Sequence, residues 1–126
     1  MKNEKSFSVS ERVKSFKPAL NGLKWFLVNE HNVRVHLFLS MLSICAGIYF
    51  QISTNEWIAI LICIGMVLSM EAANSAIEKL VDLVSPQKNH LAGWIKDIAA
   101  AAVLIASIMA LLIAAVIFLP KIMILF

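Results

Sequence analysis

Apolar residues recur at spacings of four and three near the start of the chain, at Val9, Val13, Phe16, Leu20, Leu23 and Leu27, and this period predicts an amphipathic helix. Ser8 with Glu11 three residues on forms a capping-box pattern at its start. Pro18 predicts a kink or a split. Arg12, Lys14, Lys17 and Lys24 occupy the other faces. Residues 1–30 therefore predict a helix lying in a membrane interface, where each basic side chain near an anionic leaflet is worth about 1 kcal/mol. The rival reading is a soluble helix that binds a partner.

Beyond a polar cluster at 29–36 the pattern becomes continuous. LFLSMLSICAGIYF, residues 37–50, carries no charge, but it is shorter than the roughly 17–25 residues that cross a bilayer. The helix should begin earlier, and the first span is placed at 34–50. QISTNE (51–56) is a polar turn without Lys or Arg. Trp57 then opens a second apolar run as an interface aromatic, and the helical pattern continues with no Pro or Gly after Gly65, giving a span at 56–84. Ser85-Pro86 breaks it, residues 87–93 read as a loop, and an Ala-rich third span is placed at 95–119, ended by Pro120-Lys121. Ala99, Ala102, Ala106, Ala110 and Ala114 put small residues at spacings of three and four, which permits close helix packing in lipid. The fold expected is an all-α membrane protein, one surface helix and three transmembrane helices.

With 126 residues, 60% of them hydrophobic, the chain reads as a single integral membrane domain, 1–126. Cys45 and Cys63 each lie inside an apolar run and read as small buried hydrophobes. The net charge of +3 is unevenly placed: Lys2, Lys5, Arg12, Lys14, Lys17, Lys24 and Arg34 precede the first apolar run, and Lys79, Lys88 and Lys96 fall between the second and third. This bias reports topology rather than nucleic-acid binding. It puts the N-terminus and the second loop in the cytoplasm and the C-terminus outside, with Lys121 as the one contrary charge. An amphipathic stretch stands where a secretory signal would place its apolar core, so no cleaved leader is expected.

The chemistry concentrates in MEAANSAIEKLVD, residues 70–82. On a helix Glu71 and Glu78 lie about 20° apart and Asp82 about 40° beyond, with Asn74 and Ser75 on the same stripe. Carboxylates at the edge of hydrocarbon are costly, about 2.5–3.5 kcal/mol for Asp at a span's centre. They need a compensating partner, and for clustered carboxylates a divalent cation is the natural one, Mg²⁺ commonly arriving on nucleotide phosphates. Three short helices leave such a stripe open to lipid, which predicts a homo-oligomer whose subunit interfaces cover it. From the residues alone, metal-assisted chemistry, an ion- or proton-conducting ring and a structural adaptor all remain open. No Gly-rich phosphate loop is present, so charge stabilisation would fall to Mg²⁺ and to Lys or Arg.

The pattern Glu71-Ala-Ala-Asn74-Ser75-Ala-Ile-Glu78-Lys-Leu-Val-Asp82 resembles the signature of the bacterial diacylglycerol kinase family, small membrane kinases that include undecaprenol kinases. Lys96-Asp97-Ile-Ala-Ala-Ala-Ala-Val-Leu resembles the family's second motif, and Ala19-Leu-Asn-Gly22-Leu with Asn29-Glu30 its N-terminal region. The resemblance implies a homotrimeric bundle in the bacterial inner membrane with active sites between subunits on the cytoplasmic side. It implies transfer of the ATP γ-phosphate to a lipid hydroxyl: diacylglycerol giving phosphatidic acid, or alternatively undecaprenol giving its phosphate. By that resemblance Glu71 is the general base, Glu30 and Glu78 hold Mg²⁺, Asn74 stands beside them, and Lys96 and Asp97 line the nucleotide site. An arginine of the surface helix contacts ATP in diacylglycerol-specific members, and Arg12 is the candidate for it, with Lys14 and Arg34 as further basic candidates. Asn32-Val-Arg34-Val-His36-Leu-Phe resembles the undecaprenol kinase branch. His31, His36 and His90 show no metal-ligand spacing.

Overall fold

The computed structural model describes residues 6–126. Lys2 and Lys5, counted above in the N-terminal charge, lie outside the described residues. The described chain is all-helical: α1 Val9–Lys14, α2 Phe16–Asn29, α3 His31–Tyr49, α4 Thr54–Val84 and α5 His90–Leu125. The last three are long and apolar enough to cross a membrane.

The surface helix does split, but at Ser15 rather than at Pro18. The Pro18 ring cannot share a helix with the carbonyl of Lys14, four residues earlier, so α1 ends there. Ser15 closes that end by donating its hydroxyl to the Arg12 carbonyl at 2.6 Å. At the other end Ser8 Oγ accepts the Glu11 N–H at 3.5 Å. Pro18 then falls in the first turn of α2, where its missing N–H would have had no intrahelical partner. Of the apolar stripe, Val9, Val13, Phe16, Leu20, Leu23 and Leu27 remain exposed, and only Phe26 of α2 is buried. That leaves an uncovered apolar face opposite the basic one, as an interfacial helix requires.

Glu30 is extended between α2 and α3. Asn29 Nδ2 donates to the Trp25 carbonyl at 2.8 Å, and Arg34 Nη2 donates to the Val28 carbonyl at 3.4 Å, one of the acceptors that the end of α2 leaves open. Starting at His31 rather than at 34 gives α3 its 19 residues, about 28 Å of helix and nearly the hydrocarbon thickness.

The α3–α4 turn is a Schellman closure. The Ile52 N–H reaches the Gly47 carbonyl at 3.2 Å and the Gln51 N–H the Ile48 carbonyl at 3.3 Å, with Gln51 left-handed at φ 50. Ser53 and Glu56 then cap α4 reciprocally, at 3.2 and 3.1 Å. A Cβ on Gly47 would stand 2.8 Å from Trp57 Cη2 and 3.0 Å from Ile52 Cδ1. Gly47→Val is therefore expected to destabilise the fold by about 1–3 kcal/mol through overpacking, read as a lower unfolding midpoint in detergent; an unchanged midpoint would contradict this packing.

α5 departs from the expected 95–119 span at both ends. It begins at His90 because Asn89 Oδ1 accepts the N–H groups of Leu91 and Ala92, at 2.8 and 3.3 Å, so the expected 87–93 loop contracts. It also runs through Pro120 to Leu125. Lys121 follows the proline directly, and its Nζ donates to the Ile117 carbonyl at 3.2 Å and to Glu56 Oε2 at 2.7 Å. The Lys121 charge is thus paired with the first turn of α4.

α5 packs along α4, and α3 packs on α4 as well. The buried and half-buried positions of α5 include Ala99, Ala102, Ala106, Ala110 and Ala114, the small-residue stripe expected to permit close approach. Ile52, Ile60, Ile117 and Phe118 form a core at the α3–α4 turn end, joined by Phe50, Trp57 and Ile113. At the opposite end the buried residues are Phe26, Val33, Val81 and Ala99, together with a polar trio on α4.

Candidate active site

That trio is Glu71, Asn74 and Ser75, with 3%, 9% and 6% of their surface exposed. The helix period puts them on the face that also buries Val67 and Val81. Glu78 is half-buried and Asp82 exposed, so the acidic stripe emerges gradually over about 16 Å of helix. A partner subunit was expected to be needed to cover it. For Glu71, Asn74 and Ser75 this is corrected: they are buried within one chain, because α3 and α5 both pack on α4. Asn74 Oδ1 has no hydrogen-bond partner among the described residues, and a buried acceptor left so costs about 1–3 kcal/mol. It is a place where a donor or a cation would relieve an existing penalty.

Glu30, at the α2–α3 bend, lies 3.9 Å from Lys79 Nζ, and the same ammonium stands 5.7 Å over the Trp25 ring. The pair ties the surface helix to the end of α4, next in sequence to Glu78. Among the described residues, no three His, Cys, Asp or Glu side chains are grouped closely enough to hold a metal. Mg²⁺ is commonly held by one or two carboxylates with substrate phosphates supplying the rest. The oxygen donors of Glu30, Glu78 and Asn74 fit such a role by chemistry, and no three-carboxylate cage is required.

Lys96 Nζ donates to Asp82 Oδ1, joining the last turns of α4 to the first turns of α5. This pair, Asp97, Gln87, Lys88 and His90 line a cleft of 520 Å³ at the α4–α5 turn. Lys96 and Asp97 thus share one cavity. Arg12 does not join it: its guanidinium stands 5.3 Å over the Phe7 ring on the surface helix. Sequence reasoning missed Lys79 as the link to Glu30 and missed the Asp82–Lys96 pair. Opposite charges fourteen residues apart astride Ser85-Pro86 were the signal for the latter. His36 lines a different, intramembrane groove with Ser40 and Ser43, so the three histidines do not converge.

Three features follow one another along α4: a buried carboxylate, an unsatisfied amide oxygen three residues on, and, at the end of the helix, a charged cleft that Asp82 lines but Glu71, Asn74 and Glu78 do not. The family model for prokaryotic diacylglycerol kinase matches residues 17–118. The chain is 35% identical over 108 residues to an undecaprenol kinase of Bacillus subtilis, covering 86% of this chain and 88% of that one. It is 31% identical over 110 residues to a diacylglycerol kinase of Synechocystis, covering 86% of this chain and 63% of that relative. Against a diacylglycerol kinase of Haemophilus influenzae it is 30% identical over 102 residues, covering 81% and 86%. The matched residues hold α2 to the end of the α5 core, and with them every stripe and cleft residue described. The chain belongs to the prokaryotic diacylglycerol kinase family and is a lipid kinase of that family.

Proposed function

We propose that this kinase phosphorylates undecaprenol, with ATP and Mg²⁺, at the cytoplasmic face of a bacterial inner membrane. The burial of Glu71 at the membrane end of a stripe that opens into a charged cleft carries the reading. Lipid reaches Glu71 from the bilayer and nucleotide reaches Lys96 from the aqueous side. Glu71 takes the proton from the lipid hydroxyl as its oxygen attacks the γ-phosphorus. The bond from that phosphorus to the β–γ bridging oxygen breaks, ADP leaves with the electron pair, and a lipid monophosphate forms. Glu78 and Glu30 would hold Mg²⁺, which when bound supplies positive charge to the phosphates. Asn74 accepts into the same site, Lys96 faces phosphate, and Asp97 lines the nucleotide cleft. Arg12 is the one proposed nucleotide contact that would require movement of the surface helix or a neighbouring subunit. Half-buried Glu78, exposed Asp82 and the long apolar faces of α3 and α5 are what a homotrimer with shared sites would cover.

Undecaprenol is preferred on two grounds, the 35% identity to the Bacillus subtilis enzyme and the branch-like stretch at residues 32–38. Diacylglycerol, the first choice from the signature alone, is kept as the second reading by the Synechocystis and Haemophilus influenzae relatives. Offering purified protein both lipids with γ-labelled ATP separates them. Faster labelling of undecaprenol is expected; preference for diacylglycerol would overturn the lipid assignment. Label in neither lipid, with ion flux through liposomes lacking ATP, would return the stripe to a conducting role.

A further inference from the structure

The depth order of the site says where a nucleobase must go. Glu71, the half-buried Glu78 and Asp82 follow one another along α4 towards its C-terminal end, where Lys96 of α5 pairs with Asp82. A phosphoryl donor whose terminal phosphate lies toward Glu71 therefore directs its base past Lys96, to the turn between α4 and α5. Around that turn the cleft is polar, lined by Gln87, Asn89 and His90, and its one large aromatic side chain is Trp94. Trp94 precedes Lys96 by two residues, so its backbone lies about 3 Å further from the membrane centre. Next to it Gly93 also lines the cleft, with open space where a Cβ would stand.

The other two tryptophans are engaged. Trp25 sits under the Lys79 ammonium and Trp57 packs over Gly47. Trp94 is 65% exposed, with no aromatic or cationic partner recorded among the described residues. An indole at a membrane interface is often only an anchor, but this one borders a charged cavity. We infer that Trp94 is the platform on which the base of the phosphoryl donor stacks, with Asn89, His90 and Gln87 offering polar groups to its edge. This rests on the kinase reading above and adds the residue that recognises the base.

Base stacking on an aromatic side chain is worth about 1–3 kcal/mol, which corresponds to a change of about 5- to 150-fold. Trp94→Ala in the full chain should raise the KM for ATP by at least about fivefold and leave the KM for lipid unchanged. Inhibition by Mg-tripolyphosphate, which has no base, should not change. Trp94→Phe should retain most of the affinity. An unchanged KM for ATP would overturn the inference, as would an equal loss of tripolyphosphate inhibition or a shift in lipid KM, the mark of an interface anchor. Should Trp94→Ala be inactive, binding is read without turnover: ADP should quench tryptophan fluorescence in the native chain and lose that quench in Trp94→Phe. Persistence of the quench in Trp94→Phe would equally overturn the inference. Transfer of label by the native chain tests the kinase reading separately, so failure of one is not mistaken for failure of the other.

Discussion

Glu71→Gln is expected to abolish most phosphoryl transfer, by about 10²- to 10⁴-fold, the usual worth of a positioned general base, while the protein stays folded. Gln is nearly the same shape, so the packing around a side chain only 3% exposed should be preserved. A neutral amide also avoids the cost of burying a carboxylate's charge. Activity and stability should therefore part, the unfolding midpoint in detergent holding or rising as the transfer rate collapses. Retained transfer would remove Glu71 as the base. Lost folding would instead make the carboxylate structural.

The second large effect is expected at Glu78. Half-buried about two turns beyond Glu71, it has the exposure of a ligand that meets ions from water. Glu78→Gln should raise the Mg²⁺ concentration for half-maximal activity by at least about tenfold, since even groups that only support a metal ligand are worth about 10- to 100-fold. Titrating activity against Mg²⁺ at saturating ATP reads this directly. An unchanged Mg²⁺ requirement would move the metal to other side chains. Glu30→Gln should act in the same direction, although its pairing with Lys79 means it must exchange an ammonium for the ion.

Much of the fold was legible in the pattern of apolar residues, because spans of this length and the Ala99–Ala114 stripe are dictated by the bilayer and by helix period. The ends were not. The start of α5 depends on the Asn89 side chain reaching two backbone N–H groups, and its passage through Pro120 depends on Lys121 meeting Glu56, sixty-five residues away. Neither contact shows in a local window. In the site, Glu71, Asn74 and Glu78 were placed on one face by spacing alone, and Lys96 with Asp97 by motif. What spacing could not show was that one chain suffices to bury Glu71 and Asn74, which depends on how α3 and α5 pack on α4. Nor could it show that Lys79 reaches Glu30 across the α2–α3 bend.

A structure of the assembled protein with Mg²⁺ and a non-hydrolysable ATP analogue bears most directly on the acidic face of α4 as the place of transfer. The analogue's terminal phosphate is expected beside Glu78 and Lys96, with Glu71 next along the helix and an opening from it to the bilayer. A nucleotide held elsewhere, with Glu71 and Asn74 sealed away from phosphate and lipid alike, would contradict it.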